Sequence, residues 1–234
     1  MIDYEGIVKD NKHSFKDYGL IIKSKYISIP GKQKITERVP FSNYNYDFSR
    51  IYGEEIFEDR EIKYVFNLIC DSKEELYSKG EEVIQWLYTN GNFKLYDDDI
   101  KGYYFLAECL SLDYKELSTF WEVTVNFKAY PYKIGLYNEG DIPWDDFNFE
   151  TDYLQETSFY INGSKEVKII NPSLKKITPE IVCNSNFILT KDGVTYNFKS
   201  GKTKDWRFKL EKNINTITIV GKGNISFIFH KEVI

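Results

Sequence analysis

The chain has 234 residues, of which 42% are hydrophobic and 29% charged, and its formal net charge is -5. Because one hydrophobic core usually serves about 100 to 150 residues, this length favours two domains. No stretch approaches the roughly 18 apolar residues that cross a bilayer, which excludes a membrane-spanning class. The acidic start of the chain does not have the pattern of an export signal, which predicts a cytoplasmic location.

The first elements are a turn at Asp17 to Gly19 and a strand that ends at Pro30. Residues 31–60 are different, because their aromatic residues are scattered without a steady period and their apolar residues are too few for a core. This segment predicts a long hairpin or an arm that packs on a partner chain. Aromatic residues make up 17% of the sequence, with 19 Tyr, and tyrosine is frequent at protein interfaces.

A strand and a helix follow the arm. Apolar residues alternate over residues 61–70 and place one face inward: Ile62, Tyr64, Phe66, Leu68 and Cys70. A helix is predicted at about residues 73–90, because Ser72 and Glu75 have the spacing of a capping box. Gly91 lies where a left-handed C-terminal cap is expected.

Three more strands complete the first half. Residues 93–96 and 103–110 are predicted to pair across a turn at 97–102. The last strand has one inward face: Trp121, Val123, Val125, Phe127 and Ala129. Pro131 ends this strand. Residues 1–132 are therefore predicted to form an α+β domain with one helix.

Residues 133–234 have no helix signal. The pairs Asn162-Gly163 and Asp192-Gly193 are typical of two-residue hairpin turns. Further strands are predicted at three places: residues 206–210, 214–220 and 224–229. Short strands with close-set turns predict a C-terminal β-sandwich, so the fold class is mainly β.

The sequence offers little material for catalysis. Its three cysteines are far apart, which predicts buried thiols and no zinc or redox pair. His13 and His230 are the two histidines, and no nucleophile, phosphate-binding or dinucleotide motif is present. The acidic run at residues 97–99 has the composition of a turn without the spacing of a calcium loop. We therefore predict no catalytic, metal or cofactor site, and no enzyme activity.

An aromatic group follows the junction between the two halves: Trp144, Phe147, Phe149 and Tyr153. One interpretation is a stacking platform for sugar rings, with Asp145 and Asp146 accepting hydroxyl protons. The other is a linker whose aromatic rings pin the two domains together.

The order of features along the chain resembles the distal tail protein (Dit) family of siphophages, which are tail hub components. The resemblance covers nearly the whole chain and rests on these stretches: FKDYGL (15–20), ERVP (37–40), VIQWLYTNG (83–91), FKLYDDDIKGYYFLAECLS (93–111), WEVTVNFKAYPYK (121–133) and KLEKNINTITIVGKGNISFIFHKE (209–232). One departure follows ERVP, where many relatives have a turn similar to P-G-R-D-G and this chain has Pro40-Phe41-Ser42-Asn43-Tyr44.

The resemblance implies a homohexameric ring at the virion tail tip. N-terminal domains would form the ring, galectin-like sandwiches would hang outside it, and partners would be the tail tube protein and a tail-associated lysin, hub or baseplate protein. DNA would pass through the lumen without specific binding, and the net charge of -6 over residues 1–132 suits such a channel because a basic lumen would retain phosphates.

A ring requires contacts between different surfaces of identical chains. The arm is the segment whose apolar residues need a partner chain to cover them. The expected ring interface is apolar: Ile35, Phe41, Tyr44, Tyr46, Phe48, Ile51 and Tyr52. Two alternatives are kept. One is a carbohydrate-binding tail module that contacts the host cell wall through the aromatic group at 144–153, and the other is the hub of a contractile, bacteriocin-like particle.

Overall fold

The computed structural model describes residues 4–51, 53–89, 91–117 and 120–234. The chain divides into two compact units, one comprising the chain up to Lys133 with Ile234, and the other Ile134–Val233. Strands dominate both units, which confirms the predicted mainly-β fold class. No helix among the described residues is long and apolar enough to span a membrane.

The described residues of the first unit form nine strands and two helices. They are β1 (Ile7–Lys9), β2 (Lys12–His13), α1 (Ser14–Tyr18), β3 (Leu20–Ile27), β4 (Thr36–Arg38), β5 (Asn45–Asp47), β6 (Arg60–Ile69), α2 (Lys73–Leu87), β7 (Phe93–Asp97), β8 (Tyr103–Glu116) and β9 (Phe120–Ala129). Seven strands form an antiparallel sheet in the order β2-β1-β7-β8-β9-β6-β3. β4 and β5 form a separate two-stranded sheet.

The core of this unit lies between one face of the sheet and α2. The predicted inward face of β9 is buried at all five positions, which confirms that strand. On β6 the predicted inward residues Ile62, Tyr64, Phe66 and Leu68 are buried, whereas Cys70 lies beyond the end of the strand and is only partly buried. Helix α2 packs closely there, because a Cβ built on Gly80 would lie 2.1 Å from the Trp121 ring. Glycine is therefore required at position 80.

The helices differ from the prediction in three details. The turn predicted at residues 17–19 is the end of a second helix, α1, where Gly19 adopts a left-handed φ of 71°. Ser72 caps α2 through the Glu75 amide at 3.2 Å as expected, but the Glu75 carboxylate accepts from the Asp71 amide, at 3.4 Å. Helix α2 also ends at Leu87, before Gly91, and Tyr88 is its C-cap.

The second unit is built from strands and one short 3-10 helix, Trp144–Asp146. With β10 (Lys133–Gly135) at its boundary, its strands are β11 (Ser158–Asn171), β12 (Glu180–Cys183), β13 (Phe187–Lys191), β14 (Val194–Phe198), β15 (Gly201–Thr203), β16 (Asn213–Ile228) and β17 (Glu232–Val233). One antiparallel sheet has the order β14-β13-β16-β12-β15, and β11 pairs with β16. The hairpin predicted at Asp192-Gly193 is confirmed between β13 and β14.

The strands predicted at residues 214–220 and 224–229 are confirmed within β16, but two turns and one strand predicted in this unit were wrong. Gly163 is not in a turn, because it lies inside β11 opposite Gly221, and residues 221–223 lie inside β16. Residues 206–210 form no strand, and only Leu210 makes a bridge, to Ile177. The glycines bend a continuous ribbon here, because Gly163, Gly221 and Gly223 have φ values of 98°, 158° and 137°.

The bend makes the sheet curl around one core. On one side of the glycines β16 pairs with β12 through residues 225–228, and on the other it pairs with β13 through residues 218–221. Side chains from both halves belong to the same buried cluster, including Phe159, Val167, Phe187 and Phe227. The predicted sandwich is therefore one hydrogen-bonded sheet whose halves share long strands.

Candidate assembly interface

The arm, defined here as residues 31–59, is a ribbon that connects β3 to β6. At its base the Glu58 amide donates to the Gly31 carbonyl at 2.8 Å, and the Gln33 amide donates to the Ile56 carbonyl at 2.8 Å. Near its tip β4 pairs with β5, with Glu37 opposite Tyr46. Backbone hydrogen bonds along its length give the arm a defined shape although it contributes nothing to the described core clusters.

The expected interface residues are exposed wherever the structure describes them. Among the described residues from 31 to 59, only Ser49 is buried. The exposed fraction runs from 41% for Phe48 to 67% for Ile51, and Phe41 is fully exposed. Tyr52 lies outside the described residues. Six apolar side chains of one segment thus remain in solvent, which soluble chains normally restrict to interaction surfaces.

Three aromatic rings form a row along β5 and the residues beside it. Tyr44, Tyr46 and Phe48 alternate along the extended chain, so their side chains lie on one face. The Tyr44 and Tyr46 ring centroids are 5.4 Å apart, and those of Tyr46 and Phe48 are 6.2 Å apart. Such a row offers a partner a continuous apolar surface.

Hydrogen bonds and ion pairs between polar side chains order the arm while it remains exposed to solvent. Ser49 donates to Asp47 through its amide, at 2.8 Å, and together with Lys34 lowers the pKa of Asp47 to about 2. Glu55 lies 2.6 Å from Lys32 Nζ and also contacts Arg50, and these cations lower its pKa to about 2. The arm is therefore ordered by polar contacts, and its aromatic rings need no core to position them.

The tip of the arm is conformationally unusual. Phe41 has a φ of 62°, a left-handed value that a bulky side chain rarely adopts. The Ser42 amide donates to the Val39 carbonyl at 3.2 Å, and Ser42 Oγ accepts from the Tyr44 amide at 3.0 Å. This exposed, strained phenylalanine lies where the sequence departs from the P-G-R-D-G turn. Strain of this kind is found most often at functional positions.

Arg60 fixes the root of the arm, a role that its residue type and position do not predict. Its guanidinium donates to the Pro131 carbonyl at 2.8 and 3.1 Å and to the Ser28 carbonyl at 3.0 Å. It also lies over the Phe105 ring, 5.4 Å from the centroid. Burial lowers the pKa of Arg60. The residues before and after the arm are thus tied to the end of β9 by one side chain.

The second predicted group, at residues 144–153, is also a surface feature. Phe149 is edge-on to both Trp144 and Phe147, with centroids 5.3 and 5.2 Å apart, and the Trp144 and Phe147 rings are nearly parallel. Trp144 is 70% exposed and Phe149 is 74% exposed. Asp146 accepts from the Tyr137 hydroxyl at 2.5 Å.

The ionisable residues considered from sequence have structural roles. At the end of β7, Asp97 accepts from the Tyr64 hydroxyl at 2.5 Å and from Lys25 at 3.0 Å. His13 caps α1 and contacts Asp98 at 2.8 Å. Within the described residues, no group of three or more His, Cys, Asp or Glu side chains could hold a metal ion.

The cysteines are free thiols. Cys109 and Cys183 are buried as predicted, whereas Cys70 is only half-buried. Burial raises the pKa of each thiol, and that of Cys109 reaches about 11. A high pKa keeps a thiol protonated and weakly nucleophilic at neutral pH.

The architecture is thus a mainly-β chain of two units with an exposed arm between two strands of the first. Among solved structures it is similar to the crystal structure of the SPP1 Dit (gp 19.1) protein, described as a paradigm of the hub adsorption apparatus in phages that infect Gram-positive bacteria. The TM-score is 0.68 at 14% identity, over 99% of this chain and 100% of that one. The chain therefore has the Dit fold from end to end.

Two structures of the phage p2 baseplate in its activated conformation are more distant. The one with Sr has a TM-score of 0.43 at 12% identity, covering 99% of this chain and 98% of that one. The one with Ca has a TM-score of 0.42 at 14% identity, covering 99% and 97%. No protein-family model matches the chain, and no curated protein matches its sequence.

Proposed function

We propose that the chain is a structural subunit of a phage tail tip, a distal tail protein that forms a hexameric ring. The ring would join the tail tube to a tail-associated hub, lysin or baseplate protein. It would assemble in the bacterial cytoplasm and function in the virion without catalysis. The observation that carries this proposal is the arm, an ordered ribbon in which all six described residues of the expected interface are exposed.

The arm supports a ring because its apolar side chains are exposed, and the core described for the first unit contains no residue of the arm. A contact between the arm and a different surface of the next copy is heterologous, and such contacts close into rings when the rotation between copies allows it. Permanent interfaces of this kind commonly bury about 2,000 Å² or more. A ribbon of about 30 residues rich in Tyr and Phe is large enough to supply much of that area.

The fold comparison supports the location of this ring. The SPP1 protein with the same fold is described as part of a hub adsorption apparatus. The ring number of six and the identity of the partners come from the resemblance to the distal tail protein family. Acidic charge on the first unit suits a lumen that passes DNA without holding it.

Removing the arm tests the proposal. We expect deletion of residues 32–58 to leave a folded monomer, because the Arg60 contacts to Ser28 and Pro131 lie outside the deleted segment. Light scattering would give the mass, circular dichroism would report the fold, and negative-stain images of the intact chain should show closed rings. A deletion variant that keeps six times the monomer mass would refute the role of the arm.

A further inference from the structure

A second exposed surface lies in the second unit, on the loop of residues 138–157 that precedes β11. Buried polar groups anchor its base. The Asp152 carboxylate contacts Lys231, and their side chains are only 4% and 9% exposed. Gln155 donates to Glu139 at 3.1 Å, and it both donates to and accepts from the Ile170 backbone, at 2.9 and 2.8 Å. A long loop fixed in this way is typical of a functional segment.

The outer part of this loop is aromatic and acidic. Trp144 and Phe149 are largely exposed, as described above, and Leu154 is 87% exposed. The loop contains seven acidic residues and no lysine or arginine, and five of the seven lie outside the buried base formed with Glu139 and Asp152. A surface of this kind repels phosphate-rich polymers and favours a partner that presents cations beside an apolar group.

The same unit contains the complementary surface. Residues 199–212 carry six basic and two acidic side chains, and Trp206 is 75% exposed among them. Arg207 is occupied by Asp205, which accepts from it at 2.7 Å. Lys202, Lys204 and Lys209 are exposed, and none pairs with a carboxylate in the described parts of the chain. This basic segment has charges that are available to a neighbouring molecule.

The two surfaces lie on opposite sides of β16. One row of the sheet runs from Ser158, which follows the acidic loop, through Ser226 and Val182 to Lys202 in β15. Three strand spacings of about 4.8 Å separate the ends of this row, or about 14 Å. Opposite charges at opposite edges of one sheet allow head-to-tail contact between copies. A two-fold contact of either surface with itself would bring like charges together.

We infer that the acidic aromatic loop at residues 138–157 of one copy docks on the basic segment at residues 199–212 of the next copy. The inference rests on the proposed ring, which would bring several copies of the second unit into one assembly. Trp144 and Phe149 would supply apolar contact with Trp206, and the carboxylates would face the lysines. The surfaces favour a second copy over a neutral glycan, because sugar stacking alone does not require so many carboxylates.

Cross-linking in the intact chain tests this contact. A chain with both Asp145→Cys and Lys204→Cys, treated with a short bis-maleimide, should give a covalent ladder from dimer up to the full ring. Each single variant should stop at the dimer or remain monomeric, because one site cannot form a chain of links. The unmodified chain controls for its native thiols, and Lys168→Cys with Val194→Cys is a matched exposed pair outside both surfaces.

Charge reversal gives an independent readout in the double-cysteine chain. We expect Asp141→Lys with Glu150→Lys to lower the ladder yield about tenfold, and Lys202→Glu with Lys209→Glu to do the same, since like charges then oppose each other. Combining both reversals should restore the yield. A restored yield supports direct pairing, because two unrelated defects would not cancel.

The outcomes separate this inference from the ring itself. A ring in electron micrographs without a ladder beyond dimer would overturn the inference and leave the proposed function standing. Absence of both ring and ladder would overturn both, and a ladder without an arm-dependent ring would support the inference alone. Titration with neutral cell-wall oligosaccharides that quenches Trp144 fluorescence, together with no ladder, would assign the loop to sugar binding instead.

Discussion

Replacing the aromatic row of the arm should abolish assembly while leaving the fold intact. The change is the triple variant Tyr44→Ser, Tyr46→Ser and Phe48→Ser, at positions that are 66%, 54% and 41% exposed. None of the three belongs to a buried cluster. Their removal therefore acts on intermolecular contact, and surface substitutions of this kind usually change folding stability by no more than about 0.5 kcal/mol each.

The size of the effect follows from the exposed area. An aromatic side chain buries about 150 to 250 Å², so a ring that is roughly half exposed offers about 100 Å² to a partner, or about 2.5 kcal/mol at 25 cal/mol per Å². Three rings give an upper value of about 7 kcal/mol per interface. Imperfect burial and non-additivity reduce this to about 4 kcal/mol, which is roughly a thousandfold weaker association.

The assay is light scattering across a dilution series, with thermal unfolding as the test of fold. A matched control replaces three exposed apolar residues of the second unit, Tyr160, Ile188 and Ile214, by serine. We expect the control to assemble at the concentrations of the unmodified chain and the arm variant to remain monomeric up to about a thousandfold higher. Equal dissociation of the two variants would show that the aromatic row is not at the interface.

Three other changes test the supporting structure. Arg60→Met should lower the free energy of unfolding by about 2 to 4 kcal/mol, because the Ser28 and Pro131 carbonyls lose their charged donor. In the same denaturant titration, the exposed Arg50→Met should have a much smaller effect. Gly80→Ala should cost about 1 to 3 kcal/mol by collision with Trp121, and a neutral or stabilising result in chemical denaturation would contradict the packing. Burial raises the pKa of Glu139 from 4.5 to about 7, so its contribution to stability is complete below about pH 4.5 and is lost as the pH rises to about 7. Glu139→Gln should therefore be more stable than the unmodified chain at pH 8 by up to about 3 kcal/mol, and an equal pH dependence of the two chains would contradict this.

Much of the first unit could be predicted because its strands have one buried and one solvated face. The alternation from Ile62 to Leu68 and from Trp121 to Ala129 is strict, and both runs are buried as expected. The start of helix α2 at Ser72 was equally predictable, because its N-terminal cap uses residues that are close in sequence. Local chemistry decides these elements, so a sequence contains the information directly.

The second unit shows where local chemistry misleads. Asn162-Gly163 is a strong hairpin signal, yet fourteen residue pairs between β11 and β16 keep the chain extended through it. Gly221 and Gly223 are glycines for packing reasons, because a Cβ at these positions would lie 2.4 Å from Phe187 and 2.2 Å from Asn184. These causes are long-range contacts, and a pattern read along the chain does not contain them.

The candidate interface was predictable in kind but not in detail. Scattered aromatic residues without a period indicated an arm that needs a partner, and every expected residue that the structure describes is exposed. The part that sequence reasoning missed is the polar scaffold, from Ser49 on Asp47 to Arg60 at the root. Such contacts depend on which backbone groups meet in space, and residue types alone do not specify that.

The separation of core and arm has a consequence for assembly. If the arm were part of the core, folding and ring formation would be one event, and a chain without partners would be unfolded. Here no described residue of the arm belongs to the buried cluster of the first unit, and the exposed arm is ordered by its own hydrogen bonds and ion pairs. The chain can therefore fold as a monomer with a preformed arm, so that little conformational entropy remains to be lost when the next copy binds.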